Sequence, residues 1–271
     1  MTNDRHRTPF SERDNLASRA SEGCGSYHKR LEQTLDSCQL CLESHCIDKL
    51  TIVAVGFKTY LAVVPWKGLD QFHCRIIPSE HYSSQVTVDE DVFAELRLWR
   101  KGLVAMFKDQ DDEDCVFIET AKNVKNTIHM AIECVPLPRE SGDLAPIYFK
   151  QSLEQAGERW GTHRKIIDLS TTKEKSVRKA IPPGFSYFSI DFGLQPGYAH
   201  VIESEESFPA HFAQEIIAGM LDLDHKVWRR PEKETQDSLK QKRDAFRERW
   251  AAFDWTEMAR KRVNDEGTSA E

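Results

Sequence analysis

The chain has 271 residues, and its 37 basic and 44 acidic side chains give a formal net charge of −7. Fourteen Phe and six Trp are too many bulky groups for a disordered chain, and the acidic balance argues against a protein that coats nucleic acid with its whole surface, although a small basic patch stays compatible. No apolar run approaches the roughly 18 residues of a membrane span, the first ten residues lack a secretory signal, and the odd number of cysteines (seven) predicts reduced thiols in an intracellular compartment.

The first half of the chain is predicted to be rich in strands. Hydrophobic patterning indicates three strands, a long helix, two more strands and a second helix. In chain order, these elements occupy residues 50–55, 59–64, 72–77, 89–108, 115–119, 128–135 and 143–156. The long helix is the clearest, because apolar side chains recur every three or four positions and form one stripe. That stripe consists of Val92, Leu96, Trp99, Leu103 and Met106.

The second half is predicted to be a smaller strand-and-helix unit. A basic and polar segment at 170–179 precedes Pro182 and indicates a connection or an exposed loop. Beyond it, the pattern predicts a hairpin, a helix with a proline in its first turn, and a charged amphipathic helix docked on the second domain or on a partner. These elements occupy residues 185–192, 198–202, 209–221 and 236–253. The whole order predicts an α+β chain with antiparallel sheets.

Cys38 and Cys41 have the two-residue spacing that lets both thiolates reach one metal ion from a tight turn. The sequence contains no second cysteine pair of this kind, so histidine would have to complete a metal site. The candidate histidines are His45, His73, His81 and His129. Spacing alone leaves a second interpretation open, in which the thiols are ordinary semi-buried side chains and the histidines are hydrogen-bonded polar residues.

The strand at 128–135 has two chemically different faces, because side chains alternate along a strand. The apolar face, which is expected to lie against a helix, consists of Ile128, Met130, Ile132 and Cys134. His129, Ala131 and Glu133 point the other way, toward a cleft or solvent. This polar face is a candidate ligand site, with His129 at its metal end.

Nine stretches, in order, resemble the two C-terminal domains of the CwfJ family of spliceosome-associated proteins. They are DSCQLC, FHCRIIPSEH, VFIET, IHMAIECVPLP, GDLAPIYFKQSL, YFSIDFG, GYAHVIE, FPAHFAQEIIAGMLDL and FDWT. The resemblance implies that the first domain is similar to the histidine-triad fold, in the branch that contains aprataxin and galactose-phosphate uridylyltransferase. It also implies one structural zinc ion per chain, because that branch uses a Cys pair, a His after a strand and the first His of the triad strand. The matching residues are Cys38, Cys41, His81 and His129.

At the strand that matches the triad strand, this sequence differs from the pattern of histidine-triad enzymes. Triad enzymes attack phosphorus with the middle histidine, whose position here is Ala131, and the third position is Glu133. Alanine cannot serve as a nucleophile, so the usual covalent nucleotidyl transfer is not expected. The face that carries Ala131 and Glu133 is instead expected to hold a phosphate or a partner loop.

Two basic clusters are candidates for contacts with phosphate or RNA, although Lys-rich loops are also common as solvated surface. Lys122 and Lys125 precede the histidine strand, and the second cluster precedes the prolines. The second cluster consists of Lys173, Lys175, Arg178 and Lys179. His200 is expected to be a structural or interface residue.

The expected function follows from the resemblance: a nuclear adaptor in pre-mRNA splicing that acts at the intron-lariat stage, in the post-splicing complex and lariat turnover. Its implied partners are spliceosomal proteins, the lariat-debranching enzyme, and intron-lariat or small nuclear RNA, with no membrane. The alternatives are an RNA-processing phosphodiesterase or nucleotidyl hydrolase that uses Glu133 and His200, and a paralogue without a splicing role. The predicted domains are a mobile lead-in (1–30), a histidine-triad-like domain with a zinc knuckle (31–148), a smaller α+β domain packed on it (157–258) and a polar tail (259–271).

Overall fold

The computed structural model describes residues 34–124, 128–160, 166–173, 175–257 and 259–260. The predicted lead-in at 1–30 and nearly all of the predicted tail at 259–271 therefore lie outside the described residues. Within the described part, the chain is α+β, as predicted. None of its helices is both long enough and apolar enough to cross a membrane.

Eight strands form one sheet in which every neighbouring pair is antiparallel. They are β1 (Ile52–Val55), β2 (Thr59–Val63), β3 (Cys74–Pro78), β4 (Asp114–Ala121), β5 (Ile132–Leu137), β6 (Ile166–Asp168), β7 (Tyr187–Phe192) and β8 (Gln195–Val201). Their order across the sheet is β1-β2-β3-β5-β4-β7-β8-β6. The predicted strands at 50–55, 59–64, 72–77 and 115–119 and the predicted hairpin are confirmed, with small shifts at their ends.

The helices lie on both faces of this sheet. They are α1 (Glu90–Asp111), α2 (Arg139–Trp160), α3 (Val177–Ala180), α4 (Phe212–Met220), α5 (His225–Arg229) and α6 (Gln236–Trp250), with short 3-10 turns at Lys49–Thr51, Leu169–Thr171 and Ala251–Phe253. Helix α2 begins four residues earlier than predicted. Helix α4 begins at Phe212, so Pro209 precedes the helix and does not occupy its first turn.

Helix α1 confirms the predicted stripe, because all five of its members are buried. They pack against one face of the sheet, where Ile76 of β3 and Ile132 of β5 belong to the same core cluster. The opposite face of the sheet is covered by α2 and α4, whose Phe149 and Ile217 belong to one core cluster with Val116 of β4. Each helix thus removes one apolar stripe from water, which is the main favourable contribution to folding.

The second half of the chain joins the first half edge to edge, and one continuous sheet results. Strand β7 pairs with β4 in a register that runs from Val116 opposite Phe192 to Ala121 opposite Tyr187. The sequence predicted a smaller domain packed on the first domain, and the pairing of β4 with β7 makes the junction a shared sheet. The predicted strands could not reveal this, because an edge strand's partner is chosen by backbone hydrogen bonds between distant segments.

Helix α6 crosses back to the first half. Its buried side chains Leu239, Phe246 and Trp250 join the core beneath α1, and the rings of Trp99 and Trp250 lie 5.5 Å apart. The predicted docking on the second domain was therefore wrong. Amphipathic spacing identifies an apolar face, but it does not identify the surface that covers this face.

Candidate metal centre and the adjoining cleft

The four predicted metal ligands converge on one point. Each offers one donor atom, and the donor atoms of Cys38, Cys41, His81 and His129 all lie within 4.8 Å of one another. Cys41 Sγ lies 3.4 Å from His81 Nδ1 and 3.3 Å from His129 Nδ1, and Cys38 Sγ lies 3.4 Å from His129 Nδ1. The sequence separation of these ligands reaches 91 residues, so only the fold brings them together.

A tight turn presents the two thiols. The main-chain N–H groups of Leu40 and Cys41 both donate to Cys38 Sγ at 3.4 Å, which directs polar hydrogens at a sulfur that would carry negative charge as a thiolate. Two further bonds hold the turn to the sheet. Tyr60 donates its hydroxyl to the Leu40 carbonyl at 2.6 Å, and Leu42 N–H donates to the Ser79 carbonyl at 3.0 Å.

The two histidines come from segments that flank neighbouring strands. His81 follows β3, and His129 lies just before β5, which begins at Ile132 and not at the predicted residue 128. Ile128 is consequently 51% exposed and leaves the predicted apolar face, whereas Met130, Ile132 and Cys134 are buried as expected. His129 Nε2 lies 3.0 Å from the Pro78 carbonyl and donates to it, which leaves Nδ1 as the lone-pair nitrogen that faces the sulfurs.

This donor set fits zinc. Typical Zn–S and Zn–N bonds of ~2.3 and ~2.05 Å in a tetrahedron place a sulfur and a nitrogen about 3.6 Å apart, close to the separations seen here. Ordinary hydrogen bonding explains the arrangement less well, because the single lone pair of His129 Nδ1 has two sulfurs at nearly equal distance. Two thiolates and two imidazoles would leave no open coordination position, which is typical of structural zinc sites.

Without a bound cation, the surroundings favour the neutral forms of the Cys41 thiol and the His129 imidazole. Burial, the hydrogen bond that the Cys41 thiol donates to Cys38, and the charge of Cys38 raise the pKa of Cys41 to about 12. Burial and the neighbouring His81 lower the pKa of His129 to about 4, against a smaller opposite effect of the Pro78 carbonyl. A bound divalent cation reverses the first preference, since it deprotonates a coordinating thiol.

Next to this corner, Ala131 packs into an apolar cluster. Tyr60, Ala62 and Ile77 form its buried part, and Leu40, Leu42 and Ile47 of the cysteine turn cover it. Ala131, which the resemblance aligns with the middle triad histidine, is half-buried and lies against these apolar groups of the cysteine turn.

Glu133 lies in a separate polar cleft between the two halves. It pairs across the strands with Arg75, it accepts a hydrogen bond from Gln214 Nε2 at 2.7 Å, and its carboxylate lies 3.5 Å from His73 Nε2. Leu69 N–H donates to His73 Nδ1, so Nε2 is the protonated nitrogen that faces the carboxylate. A cavity of about 220 Å³ adjoins this cluster. Its walls include Trp66, His73, Glu133, His211, Gln214 and Trp228.

The charge on Glu133 is stabilised by its neighbours. Burial opposes ionisation, but the N–H of the His73 imidazole, the charge of Arg75 and the amide of Gln214 together lower the pKa of Glu133. The enzymatic alternative in the sequence analysis paired His200 with Glu133 as acid–base residues. His200 lies on β8, and two strands separate it from β5, a distance of roughly 14 Å at ~4.8 Å per strand. His200 instead stacks against Phe208, as expected for a structural residue.

The predicted phosphate contacts are distributed unevenly. Lys122 donates to the carbonyls of Glu205 and Phe208 at 2.7 and 2.6 Å. Its ammonium group therefore binds a loop of the second half of the chain. Lys125 lies outside the described residues. Lys173, Lys175 and Lys179 are exposed.

Arg178 is engaged within the protein. It pairs with Glu90 at 2.7 Å, it donates to the Val88 carbonyl at 2.8 Å, and it covers the Phe93 ring at 4.6 Å. Of the predicted phosphate contacts, Lys173 and Lys175 therefore retain accessible charge.

Sequence reasoning missed the neighbours of Glu133. His73 was considered only as a metal ligand, and Arg75 and Gln214 were not considered. A signal for Arg75 was present, because opposite charges on the polar faces of two strands favour pairing of those strands. No local signal points to Gln214, which reaches the cleft from α4, 81 positions away.

Comparison with known proteins assigns both halves of the chain to one family. Residues 25–150 match the family model described as "Protein similar to CwfJ C-terminal", and residues 159–256 match "Protein similar to CwfJ C-terminus 2". The chain is 46% identical over 241 residues to the CWF19-like protein 2 homolog of Caenorhabditis elegans, which covers 89% of this chain and 50% of that protein.

Other relatives cover similar shares of the chain. Human CWF19-like protein 2 is 42% identical over 229 residues, which cover 84% of this chain and 25% of that protein. The pre-mRNA-splicing factor cwf19 of Schizosaccharomyces pombe is 32% identical over 246 residues, which cover 88% of this chain and 38% of that protein. The chain thus spans half or less of the length of these relatives. From the two family matches, which follow each other along one shared sheet, we conclude that the chain belongs to the CwfJ family.

Proposed function

We propose that the chain is a nuclear, binding component of the spliceosome that acts at the intron-lariat stage. Relatives named CWF19-like protein and pre-mRNA-splicing factor support a role in splicing. The proposed partners are spliceosomal proteins, with the lariat-debranching enzyme and intron-lariat or small nuclear RNA as further candidates. The observation that carries the binding role is that Ala131, half-buried against the apolar cluster of the cysteine turn, stands where the resemblance aligns the attacking histidine.

The first half of the chain is proposed to be a histidine-triad-like domain whose metal corner has a structural role. The support is the antiparallel order of β3, β5 and β4, with α1 on one face and the polar residues of β5 on the other. Zinc held by Cys38, Cys41, His81 and His129 would tie the cysteine turn to the ends of β3 and β5. Such coordination contributes directly to folding, since an unfolded chain has no preformed site.

Metal content tests the zinc proposal. Mass spectrometry of the purified chain should find about one zinc per chain, and Cys38→Ser and His129→Ala should each release it and lower the free energy of unfolding by several kcal/mol. The matched controls are Cys46→Ser and His45→Ala, because both residues are exposed neighbours that lie outside the cluster. A folded wild-type sample that contains no zinc after purification without chelators would contradict the proposal.

An RNA-processing phosphodiesterase or nucleotidyl hydrolase is the second candidate, and the pair of His73 and Glu133 favours it. A histidine beside an ionised carboxylate at the wall of a cavity can transfer protons. Pure protein should nevertheless show no turnover of nucleotide conjugates or branched RNA, because the cleft offers no nucleophile at the triad position. Turnover that Glu133→Gln and His73→Ala both abolish would replace the binding role with an enzymatic one.

The splicing stage is tested by affinity capture of the tagged chain from nuclear extract, before and after nuclease treatment. Intron-lariat RNA and late spliceosomal proteins should be enriched over unspliced pre-mRNA. Enrichment of pre-mRNA complexes would contradict the proposed stage, and capture without spliceosomal proteins would contradict the role in splicing.

A further inference from the structure

A groove of about 420 Å³ lies where α1 meets the β7–β8 hairpin and the segment that leads into α3. It is a different cavity from the candidate metal centre and from the cleft at Glu133, since none of those residues lines it. Its charged and apolar walls are formed chiefly by Phe93, Arg97, Arg100, Lys101, Lys175 and Leu194. Both halves of the chain contribute, so the groove exists only because the halves share one sheet.

One cation of this groove is held in place by the protein. Arg100 pairs with Asp191 at 2.8 Å, and both side chains are largely buried, with 16% and 17% of their surface exposed. Arg100 also donates to the Gly193 carbonyl at 3.3 Å and lies over the Phe117 ring at 4.7 Å. This residue therefore fixes the hairpin against α1, and its charge is already compensated.

Three other cations of the groove keep their charge available. Arg97, Lys101 and Lys175 are exposed. Within the described part of the chain, none of the three has a carboxylate at ion-pair distance, in contrast to Arg100 and Arg178. A local excess of positive charge thus lies on a protein whose net charge is −7. Such a patch attracts an anionic partner to this groove and not to the rest of the surface.

The spacing of the cations suits a chain of repeated anions. Arg97 and Lys101 are one helical turn apart, so they lie along one wall at a rise of about 6 Å. Lys175 comes from a different element of the lining, the segment that leads into α3. A cationic groove of this form can follow the backbone of a single nucleic acid strand.

Apolar surface lies beside these charges. Leu194 is 55% exposed at the hairpin, and the ring of Phe93 lies against the Arg178 guanidinium. Unstacked bases bind to such surfaces, because every base has an apolar face that stacks on aromatic rings or guanidinium planes. A purely acidic peptide would use the cations but would leave this apolar wall without a contact.

We propose that this groove binds the phosphodiester backbone of single-stranded RNA through Arg97, Lys101 and Lys175, with a base against Leu194 and the part of Phe93 that lines the groove beside Arg178. The choice of RNA rests on the proposed role in splicing. The RNA-contacting surface would then include Arg97 and Lys101 of α1, which the sequence analysis did not identify. Binding by the isolated chain would not depend on the metal corner or on any particular protein partner.

The test is fluorescence anisotropy of the purified full chain with a labelled, mixed-sequence 12-nucleotide RNA over a range of salt concentrations. The triple variant Arg97→Gln/Lys101→Gln/Lys175→Gln should reduce the slope of log affinity against log salt by about 2, since each phosphate contact on a single strand contributes ~0.7. If the two proteins bind equally at 1 M salt, this slope corresponds to about 100-fold weaker binding at 0.1 M salt.

The control is Lys150→Gln/Lys226→Gln/Lys240→Gln, which changes the net charge equally at exposed positions outside the groove. The inference is supported if only the groove variant loses affinity while its unfolding midpoint is unchanged. Equal losses in both variants, no RNA binding by the wild type, or a preference for a polyglutamate peptide over the RNA would each overturn it. Failure here would leave the splicing role standing, since affinity capture from nuclear extract tests that role independently.

Discussion

The docking of α6 on α1 can be tested with a single added methyl group. Gly102 lies on α1 where a Cβ atom would meet the indole of Trp250 at 2.5 Å from Cη2 and 3.1 Å from Cζ3. Trp250 is 1% exposed and lies against Trp99, so its ring cannot move without disturbing the core. The substitution Gly102→Ala therefore probes the contact by which the second half of the chain holds the first.

Two effects of opposite sign decide the outcome. Alanine is favoured over glycine inside a helix by about 1 kcal/mol. Forcing a methyl group against a rigid, buried ring costs about 1–3 kcal/mol. We expect Gly102→Ala to lower the free energy of unfolding by up to about 2 kcal/mol.

Gly219 on α4 provides the matched control, because a Cβ atom there meets nothing within 4 Å. Gly219→Ala should raise the free energy of unfolding by roughly 0.5–1 kcal/mol, since only the helix preference acts. Both variants are measured by urea unfolding. The difference between them, about 1–3 kcal/mol, isolates the contact with Trp250.

A double-mutant cycle makes the reasoning refutable. Trp250→Phe removes the outer indole ring, so Gly102→Ala should cost less in that background than in the wild type. If Gly102→Ala instead stabilises the wild type as much as Gly219→Ala does, Trp250 does not press on α1, and the described docking of α6 would have to be abandoned.

Three further predictions concern buried or substituted side chains. Burial raises the pKa of Glu119 to about 7 against opposing hydrogen bonds from Tyr187 and Gln85. The contribution of the neutral Glu119 side chain to stability is therefore fully present below about pH 4.5 and is lost as pH rises through 7. Urea unfolding at pH 4.5 and 7.5 should show the wild type losing up to about 3 kcal/mol relative to Glu119→Gln, whereas parallel pH profiles would contradict this assignment. Glu95 accepts hydrogen bonds from the main-chain N–H groups of Phe57, Lys58 and Thr59. Glu95→Ala should therefore lower the free energy of unfolding by about 3 kcal/mol. Asp109→Ala, at an exposed position on the same helix, should change it by less than about 0.5 kcal/mol. Ala131→His should not create hydrolysis of nucleotide conjugates, because position 131 faces the apolar cluster under the cysteine turn. Strong turnover by this variant would contradict this reasoning, because it would require a nucleotide-binding pocket at position 131.

Local patterns predicted which side of most elements is buried. The stripe on α1 and the alternation of Met130, Ile132 and Cys134 could be read from the sequence, because backbone geometry alone sets the direction of each side chain. The spacing of Cys38 and Cys41 likewise identified half of the candidate metal site. The other half came from the family resemblance, since four histidines were compatible with the residues alone.

Everything that depends on pairing between distant segments required the tertiary structure. It decided that His81 and His129, and not His45 or His73, meet the two thiols, and that His73 faces Glu133. It also decided that β7 extends the first sheet and that α6 returns to α1. The physical reason is that a periodic pattern records only that a face must leave water, whereas the group that covers the face is chosen by the packing of the whole chain.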